Sequence, residues 1–335
     1  MADKAHRLTD EKLEEMEKRL SAIYSRAEKT VQKKMADYAK SIDEKSAELL
    51  QAYKDSETED EKRKAKKAYI RFYRKLVKSK EFVSLSATVA DDLYKANIEA
   101  SAYINSKTPS IYALNYNYIN VEMAKDIDGF TPQEITDTEA EKYSDYTQQT
   151  VDHKKDTDWN KENLKKSVLA GSLLLLGAYA IMKRSAHSAV EKNHNSASMH
   201  SEGMGTDAEN KARLDGMYRA RDIGVEVKKQ WRATLDNRTR HFHATRDGDT
   251  IELDEEFSHG LKYPRDPNGT FEEICNCRCR LRYVTKYTNA RTRSARQGEV
   301  TGSYKKDSSF RGTKSIEIEN MTYAEWMEWR KKNVN

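Results

Sequence analysis

A heptad-like stripe of apolar residues runs through the first part of the chain, among positions that are otherwise mostly charged. Its members follow one another at spacings of three and four, with one gap of seven: Leu13, Met16, Leu20, Ile23, Ala27, Val31, Met35, Tyr38, Ile42 and Leu49. These spacings place side chains on one face of a helix. We predict one long amphipathic helix over residues 10–52, which packs either on its own chain or on another protein.

A second helix is predicted where Thr58 and Glu61 form a capping-box pattern. Residues 61–80 hold ten Lys or Arg and one Glu, with an apolar side that includes Tyr69 and Tyr73. Cations offset phosphate charge and aromatic rings stack on bases, so this pattern is typical of a DNA-facing helix. A solvated basic face has the same pattern. The candidate DNA-binding residues are Lys62, Arg63, Lys64, Lys66, Lys67, Arg71, Arg74 and Lys75.

The middle of the chain has weaker periodicity. Residues 82–106 continue as a helix, which Thr108-Pro109 is expected to interrupt. A turn is predicted at residues 129–132, and residues 133–160 are polar enough to be a linker or a helix on a surface. Residues 186–206 hold few large apolar side chains and predict a loop or a weak helix. Helical character returns over residues 207–230 and ends near Trp231.

One uncharged segment, VLAGSLLLLGAYAIM at residues 168–182, resembles a membrane span. At about 1.5 Å per residue it covers only about 22 Å as a helix. A bilayer core requires roughly 30 Å. Lys165, Lys166, Lys183 and Arg184 flank it closely. We therefore predict a buried helix within residues 161–185 and no membrane span.

The amino-acid composition changes after Trp231, where Thr, Asp, Gly and Pro become frequent. Alternating runs at 250–253 and 280–284 predict small strands joined by tight loops. The segment after residue 288 is polar and basic, and it closes with a short amphipathic helix that contains Trp326 and Trp329.

Composition supports a helix-rich chain. Of 335 residues, 34% are charged and 37% hydrophobic, which is too little apolar material for one large core and more than disordered chains carry. Four prolines favour helices, and a net charge of +5 identifies no partner. The charged N-terminus lacks a signal-peptide pattern, so we expect synthesis in a reducing cytoplasm. The predicted fold is mainly α, with long charged amphipathic helices followed by a small α+β C-terminal domain.

All three cysteines lie in EEICNCRCRL, at residues 272–281. Side chains that can bind a metal, form ion pairs or take part in catalysis are concentrated in the same region: Asp236, Arg238, Thr239, Arg240, His241, His243, Asp247, His259, Asp266, Cys275, Cys277 and Cys279. Alternate residues of an extended strand share a face, so the three thiols are expected to point in one direction.

Several chemical interpretations of this cluster stay open. A zinc ion takes four nitrogen or sulfur ligands, and the candidates are His243, Cys275, Cys277 and Cys279, although C-x-C chelates less well than C-x₂-C. An enzyme acting on nucleic acid or protein would use His243, Asp247 and Cys277 as its centre. Buried thiols can also serve as compact apolar groups. A disulfide between alternate residues of one strand has poor geometry.

A structural interpretation accounts for the other side chains of the cluster. Arg238, Arg240, Asp236 and Asp247 would tie loops together by charge-assisted hydrogen bonds. Asp247-Gly248 would form a tight turn between two strands. Trp231 would seat the helix that precedes it.

The same region resembles phage Mu F-like minor head proteins, a head morphogenesis family of tailed phages. The pattern is W-x-A-x-x-D-x-R-T-R-x-x-H-x-x-x-x-G, then a loop with proline, then N-C-R-C. It falls on Trp231, Ala233, Asp236, Arg238, Thr239, Arg240, His243, Gly248, Pro264, Asn276, Cys277, Arg278 and Cys279. The resemblance covers about residues 160–285. Cys275 lies outside the pattern and receives no role from it.

The resemblance implies a virion structural protein, without catalytic residues or an obligatory cofactor. Expected partners are the portal protein, the major capsid protein or scaffold, and packaged double-stranded DNA. The protein is expected to lie in the capsid interior near the portal vertex, after assembly in the host cytoplasm. It also suggests DNA contact for a run without acidic residues: Arg278, Arg280, Arg282, Lys286, Arg291, Arg293 and Arg296.

The implied domain order is a helical docking region at 1–130, a polar linker at 131–160, a Mu F-like domain at 161–290 and a basic tail at 291–335. Some members of the family are fused to ADP-ribosyltransferase toxins, which use an E-x-E pair such as Glu317 and Glu319. Only residues 280–335 follow Cys279, too few for an NAD-binding fold. The alternation of Ile316 and Ile318 predicts a strand there.

Overall fold

The computed structural model describes residues 4–125, 131–142, 148–288, 291–301 and 315–334. Ten α-helices lie within these ranges. The long ones are α1 (Lys4–Lys54), α2 (Glu59–Leu76), α3 (Lys80–Ala124), α5 (His153–Leu173) and α6 (Ala178–Asp222). The short ones are α4 (Asp137–Ala140), α7 (His241–Thr245), α8 (Phe271–Ile274), α9 (Gln297–Thr301) and α10 (Tyr323–Asn333). The predicted fold class, mainly α with a small α+β part, is confirmed.

Two small antiparallel sheets accompany the helices in the C-terminal part of the chain. The first has the order β2-β1-β3, formed by β1 (Lys228–Arg232), β2 (Thr250–Ile251) and β3 (Arg280–Val284). The second pairs β4 (Thr292–Arg296) with β5 (Ser315–Glu319). The strands predicted at 280–284 and around Ile316 are therefore present, and the one predicted at 250–253 is limited to Thr250–Ile251.

The chain divides into two compact units that do not follow sequence order. One unit contains Met1–Glu17, Ile104–Gln148 and Met199–Asn335, and the other contains Lys18–Tyr103 and Gln149–Ser198. Three of the four dividing points fall inside α1, α3 and α6, so each of these helices contributes to both units, and the fourth precedes α5. The predicted limits at residues 130, 160 and 290 stay a prediction.

The second unit is helical, and α1 contributes its apolar stripe to the core. Leu20, Val31 and Met35 are fully buried, and Ile23 is nearly so. Burial of the stripe within this unit favours packing on the same chain over docking to another protein. Helix α2 begins as predicted: the Thr58 hydroxyl accepts from the Glu61 amide at 3.2 Å, and the Glu61 carboxylate accepts from the Thr58 amide at 3.0 Å.

Pro109 does not interrupt α3, contrary to the sequence prediction. A proline inside a helix removes one backbone hydrogen bond and costs about 3 kcal/mol. The surrounding turns bury Ile104, Thr108 and Ile111 completely, and the Thr108 hydroxyl donates to the Ile104 carbonyl at 2.9 Å. Tertiary packing of these turns offsets the local cost.

The uncharged segment at 168–182 comprises the end of α5, a short turn and the start of α6 rather than one buried helix, so that prediction is wrong. Helix α5 ends at Leu173, Leu175 takes a left-handed conformation with φ of 54°, and α6 begins at Ala178. Leu173 and Leu174 are each more than half exposed. A side chain at Gly171 would come within 3.2 Å of Ile181, so the glycine permits the close approach of α5 and α6.

Residues 186–206 lie inside α6, so the predicted loop is also wrong. The segment lacks large apolar residues because its buried positions are small or amide side chains, such as Ala189 and Asn193. Asn193 donates to the Ala189 carbonyl at 2.7 Å, and its side chain also bonds to Asn160 of α5. Across the described ranges, every helix falls short of the length and hydropathy that a membrane span requires.

The first unit places the β2-β1-β3 sheet against the second half of α6. Trp231 lies in β1 opposite Leu281 of β3, rather than at a helix end as predicted. It is fully buried in a cluster that contains Leu214 and Met217 of α6, so it does seat the helix that precedes the sheet.

The segment after residue 290, predicted as a basic tail, forms β4, α9, β5 and α10 in its described parts. Trp326 of α10 is fully buried in a second small core with Leu235 and Ala295. The short terminal helix was predicted correctly. The turn expected at 129–132 falls partly on residues outside the described ranges.

Candidate metal centre

The three cysteines do not share one strand face, because the segment that holds them is not extended. Cys275 caps the end of α8, Asn276 is left-handed with φ of 53°, and β3 begins only at Arg280. The left-handed residue breaks the period-two alternation. Cys277 and Cys279 are each 2% exposed, whereas Cys275 is only half-buried.

His243 meets the two buried thiols. It lies on the one-turn helix α7 and is 2% exposed. Its Nδ1 atom is 3.5 Å from the Cys279 Sγ atom. The ligand atoms of His243, Cys277 and Cys279 all lie within 4.8 Å of one another. Three of the four residues predicted as metal candidates are therefore brought together, and Cys275 is not part of the group.

A buried carboxylate orients the imidazole of His243. Oε2 of Glu273 accepts from His243 Nε2 at 3.1 Å and from Arg246 Nη1 at 2.8 Å. Oε1 of Glu273 accepts from Arg246 Nη2 at 3.0 Å and from the His259 ring. Burial raises the pKa of Glu273, but hydrogen bonds from Arg246 and His259 outweigh that effect and lower the pKa to about 2. The carboxylate is ionised and can only accept.

This arrangement selects the tautomer of His243. Because Nε2–H donates its hydrogen bond to Glu273, the neutral ring keeps its lone pair on Nδ1, which is directed towards the thiols. The Trp231 ring packs edge-on against His243 at 5.6 Å between centroids, which fixes the imidazole from another side. Glu273 and Arg246 were not predicted from the sequence. The only signal was their position: Glu273 lies just before the cysteines, and Arg246 lies just after the histidine motif.

The two thiols have opposite electrostatic surroundings. A hydrogen bond with Cys279 is the main cause that lowers the pKa of Cys277, and Arg265 and Arg240 act in the same direction. Burial raises the pKa of Cys279 well above its ordinary value, and the neighbouring Cys277 adds to that effect. Arg265 and Arg240 thus favour negative charge on Cys277, whereas burial and the neighbouring thiol disfavour it on Cys279.

Asp236 ties the family motif together, as the structural interpretation predicted. It forms a two-point ion pair with Arg278, one contact of which is 3.0 Å. It also accepts from the Arg238 amide at 2.9 Å and from the Thr239 hydroxyl at 3.2 Å. Arg240 bonds to the Cys275 carbonyl. Because these partners join the loop after β1 to the cysteine segment, they position the entry to β3.

Asp247 makes four hydrogen bonds, one for each lone-pair position of a carboxylate. It accepts from the Ala233 amide at 2.8 Å, from Arg293 at 2.8 and 3.0 Å, and from the Tyr323 amide at 2.7 Å. The Asp247-Gly248 turn connects α7 to β2, rather than two strands as predicted. Gly248, with φ of +94°, donates to the Trp231 carbonyl at 2.9 Å.

The geometry disfavours the alternative of a catalytic centre at His243, Asp247 and Cys277. Asp247 directs its oxygens to Ala233, Arg293 and Tyr323, and the carboxylate that orients His243 is Glu273. The histidine and both thiols of the cluster are each 2% exposed. A substrate carbonyl or phosphate would have to reach a nucleophile through packed protein.

Three arginines of the basic run near the cysteines form ion pairs within the fold. Arg278 pairs with Asp236, Arg293 with Asp247, and Arg296 with Asp10 at 3.2 Å. The side chains of these three arginines are each at most 12% exposed. Paired and buried guanidinium groups do not offer their charge to a DNA backbone, so these three are poor candidates for DNA contact.

The α2 candidates differ from one another. Lys62, Arg63 and Lys64 pair with Glu59 or Asp60 on their own helix. The remaining five are exposed and form no ion pair with the residues that the structure describes: Lys66, Lys67, Arg71, Arg74 and Lys75. At 100° per residue, the last four lie on one side of α2, opposite the buried Tyr69 and Tyr73.

Comparisons with known proteins find that part of the sequence is similar to phage head proteins. Residues 162–282 match the family described as Phage Mu protein F like protein. That range contains the Trp231, Asp236, His243 and N-C-R-C positions of the motif. The resemblance inferred from those positions is confirmed for this part of the chain.

Two curated relatives are similar to parts of the chain. The minor head protein GP7 of Bacillus phage SPP1 is 34% identical over 110 residues, which are 32% of this chain and 32% of that protein. The NAD(+)–arginine ADP-ribosyltransferase EFV of Enterococcus faecalis is 42% identical over 67 residues, which are 19% of this chain and 14% of that protein. The matches thus span at most about a third of either relative. No solved structure matches the chain significantly.

Proposed function

We propose that this protein is a minor head structural protein of a tailed phage, located in the virion. The observation that carries the proposal is the Mu F-like match over residues 162–282, together with the similarity to a minor head protein. The motif residues support a structural role: Asp236 pairs with Arg278, and Trp231 fills the core. In this proposal the motif stabilises a domain that other head components recognise.

The proposed partners are the portal protein and the inner surface of the capsid, where the protein assists head assembly or DNA packaging and ejection. The test is co-expression of the full chain with the portal and major capsid proteins of the same phage, followed by purification of portal complexes and procapsids. We expect the chain to co-purify with one of them in a saturable amount. Absence from both, with the folded chain present in the lysate, refutes the proposal.

We infer a non-enzymatic role, despite the similarity to an ADP-ribosyltransferase over 19% of the chain. Glu317 and Glu319, the pair that the sequence offered for such chemistry, are both exposed on the short strand β5. The test incubates the purified chain with NAD⁺ and an arginine-containing acceptor. No transfer is expected. Transfer that disappears in Glu319→Gln would establish enzymatic activity.

Contact with packaged DNA is a second proposal, and the exposed cations of α2 support it. From Lys67 to Lys75 they extend about 12 Å along the helix at about 1.5 Å per residue. Duplex DNA carries one charge per about 1.7 Å of its axis, so several phosphates lie within that length. The aromatic residues on the opposite side of α2 are buried, so base stacking is not part of this proposal.

The salt dependence of DNA binding tests this second proposal. Each phosphate contact adds about 0.9 to the slope of log K against log salt concentration. The triple variant Arg71→Gln, Arg74→Gln, Lys75→Gln should therefore lose about three such increments. The matched control is Lys29→Gln, Lys33→Gln, Lys54→Gln, which removes three exposed charges from α1. Equal slopes for both triple variants would refute a role for α2.

A further inference from the structure

We propose that His243, Cys277 and Cys279 bind a zinc ion that stabilises the α/β part of the Mu F-like region. Imidazole nitrogen and thiolate sulfur are the ligand types that zinc selects in structural sites. The three ligand atoms lie within 4.8 Å of one another, and all three residues are buried. The proposal concerns the stability of the fold and does not depend on the proposed place of the protein in the phage head.

The spacing of the ligand atoms agrees with a tetrahedral zinc site. Zinc–sulfur bonds of about 2.3 Å and zinc–nitrogen bonds of about 2.0–2.1 Å, at a tetrahedral angle, separate a sulfur from a nitrogen by about 3.6 Å. The distance from Cys279 Sγ to His243 Nδ1 is 3.5 Å. An ion can therefore bind between these atoms with little movement of the backbone.

The histidine is oriented in the way that metal ligands usually are. Its Nε2–H donates to the Glu273 carboxylate at 3.1 Å, which leaves Nδ1 free to donate a lone pair to a metal. Glu273 is itself held by Arg246 at 2.8 and 3.0 Å, and by His259. The carboxylate thus fixes the imidazole with Nδ1 directed at the Cys279 thiol.

The charge balance also fits a divalent cation. Two thiolates and a neutral imidazole carry a charge of −2, which one Zn²⁺ neutralises in a buried place. Without a metal, two thiols would share this space with the polar edge of an imidazole. Among the described residues, the cluster holds only these three ligand groups, so the fourth tetrahedral position is assigned to water or another small donor.

The location explains what the ion would stabilise. His243 belongs to α7, and the cysteines belong to the segment that leads into β3. The helix is only five residues long, and a helix of that length is not stable alone. Bonds to a shared metal ion would link α7 directly to the cysteine segment. This link would lie beside Trp231, whose ring packs against the imidazole of His243.

The test measures metal content and spectrum in the full chain. Purified wild-type protein is expected to contain stoichiometric zinc, and removal of the zinc by a chelator should lower the melting temperature. Refilling with Co²⁺ should give the intense visible bands of tetrahedral cobalt and a sulfur-to-cobalt charge-transfer band. Cys277→Ser, Cys279→Ser and His243→Gln should each lose most of the bound metal.

Cys275→Ser is the matched control, because it removes a thiol of the same segment that lies outside the cluster. It should keep the metal and the cobalt spectrum. His243→Cys guards against simple misfolding, since it replaces a nitrogen ligand with sulfur and should strengthen the charge-transfer band.

Two results would overturn the proposal. One is a wild-type protein that neither contains zinc nor binds added Zn²⁺ or Co²⁺ tightly. The other is loss of the metal in Cys275→Ser to the same extent as in Cys277→Ser, which would show that the ligand set is different.

Discussion

Replacing Asp247 with asparagine should strongly destabilise the first unit. The Asp247 side chain is 2% exposed, and its two oxygens accept four hydrogen bonds, from Ala233, Tyr323 and both terminal nitrogens of Arg293. These partners belong to the end of β1, to β4 and to the start of α10. One carboxylate therefore holds three separate segments together.

The magnitude follows from counting acceptors. An asparagine side chain keeps one oxygen with two lone pairs and directs an NH₂ group at donors, so two of the four hydrogen bonds are lost. Each hydrogen bond to a charged group contributes about 1.5–3 kcal/mol. Breaking a buried ion pair costs about 3–5 kcal/mol, and the two estimates describe overlapping losses. We expect Asp247→Asn to lower the free energy of unfolding by about 3–5 kcal/mol.

Urea denaturation followed by tryptophan fluorescence measures this change, because Trp231 and Trp326 are both buried in the first unit. The matched control is Asp254→Asn. The Asp254 side chain is 75% exposed and pairs with Arg221 at the surface, so its replacement should leave the unfolding midpoint nearly unchanged. A loss below about 1 kcal/mol in Asp247→Asn, the size of an ordinary substitution, would refute the reasoning.

Three further substitutions test other parts of the structure. Gly216→Ala would place its methyl group 3.0 Å from Cβ of Ile119, which cannot move without its helix, so we expect a loss of about 1–3 kcal/mol by urea denaturation. Asn210 donates to the carbonyls of Pro264 and Cys279 at 2.9 and 3.0 Å, so Asn210→Asp should cost about 2–5 kcal/mol, measured in the same way. Burial raises the pKa of Glu202 to about 8, from 4.5, so the native state binds a proton that the unfolded chain has released, and stability should fall as pH rises between these values. Glu202→Gln should flatten that decline in melting temperature, with the difference from wild type greatest above pH 8; parallel curves would contradict it.

Local signals were sufficient where the structure depends on neighbours in sequence. The capping box at Thr58 and Glu61 is formed by residues three apart, and it appears as predicted. The apolar stripe of α1 needed only the helical period. The strand at 280–284 was predicted from its alternation alone, and it pairs with β1.

Predictions failed where a local signal was outweighed by packing. Pro109 lies within α3 because its neighbours Ile104 and Ile111 are fully buried. The four leucines at 173–176 predicted a helix, but the chain turns there because α5 and α6 approach each other closely at Gly171. In both places the deciding contacts are made with other helices, which the local sequence pattern does not reveal.

The sequence by itself determined the helix-rich class, and its motif identified the Mu F-like region, because helical period and motif order are properties of the chain alone. Only the tertiary structure decided which side chains meet. It brought His243 to Cys277 and Cys279 while Asn276 turned Cys275 away, and it placed Glu273 behind the histidine. It also paired Arg278 with an acid far away in sequence. Burial and ion pairing depend on distances in space, which residue spacing does not contain.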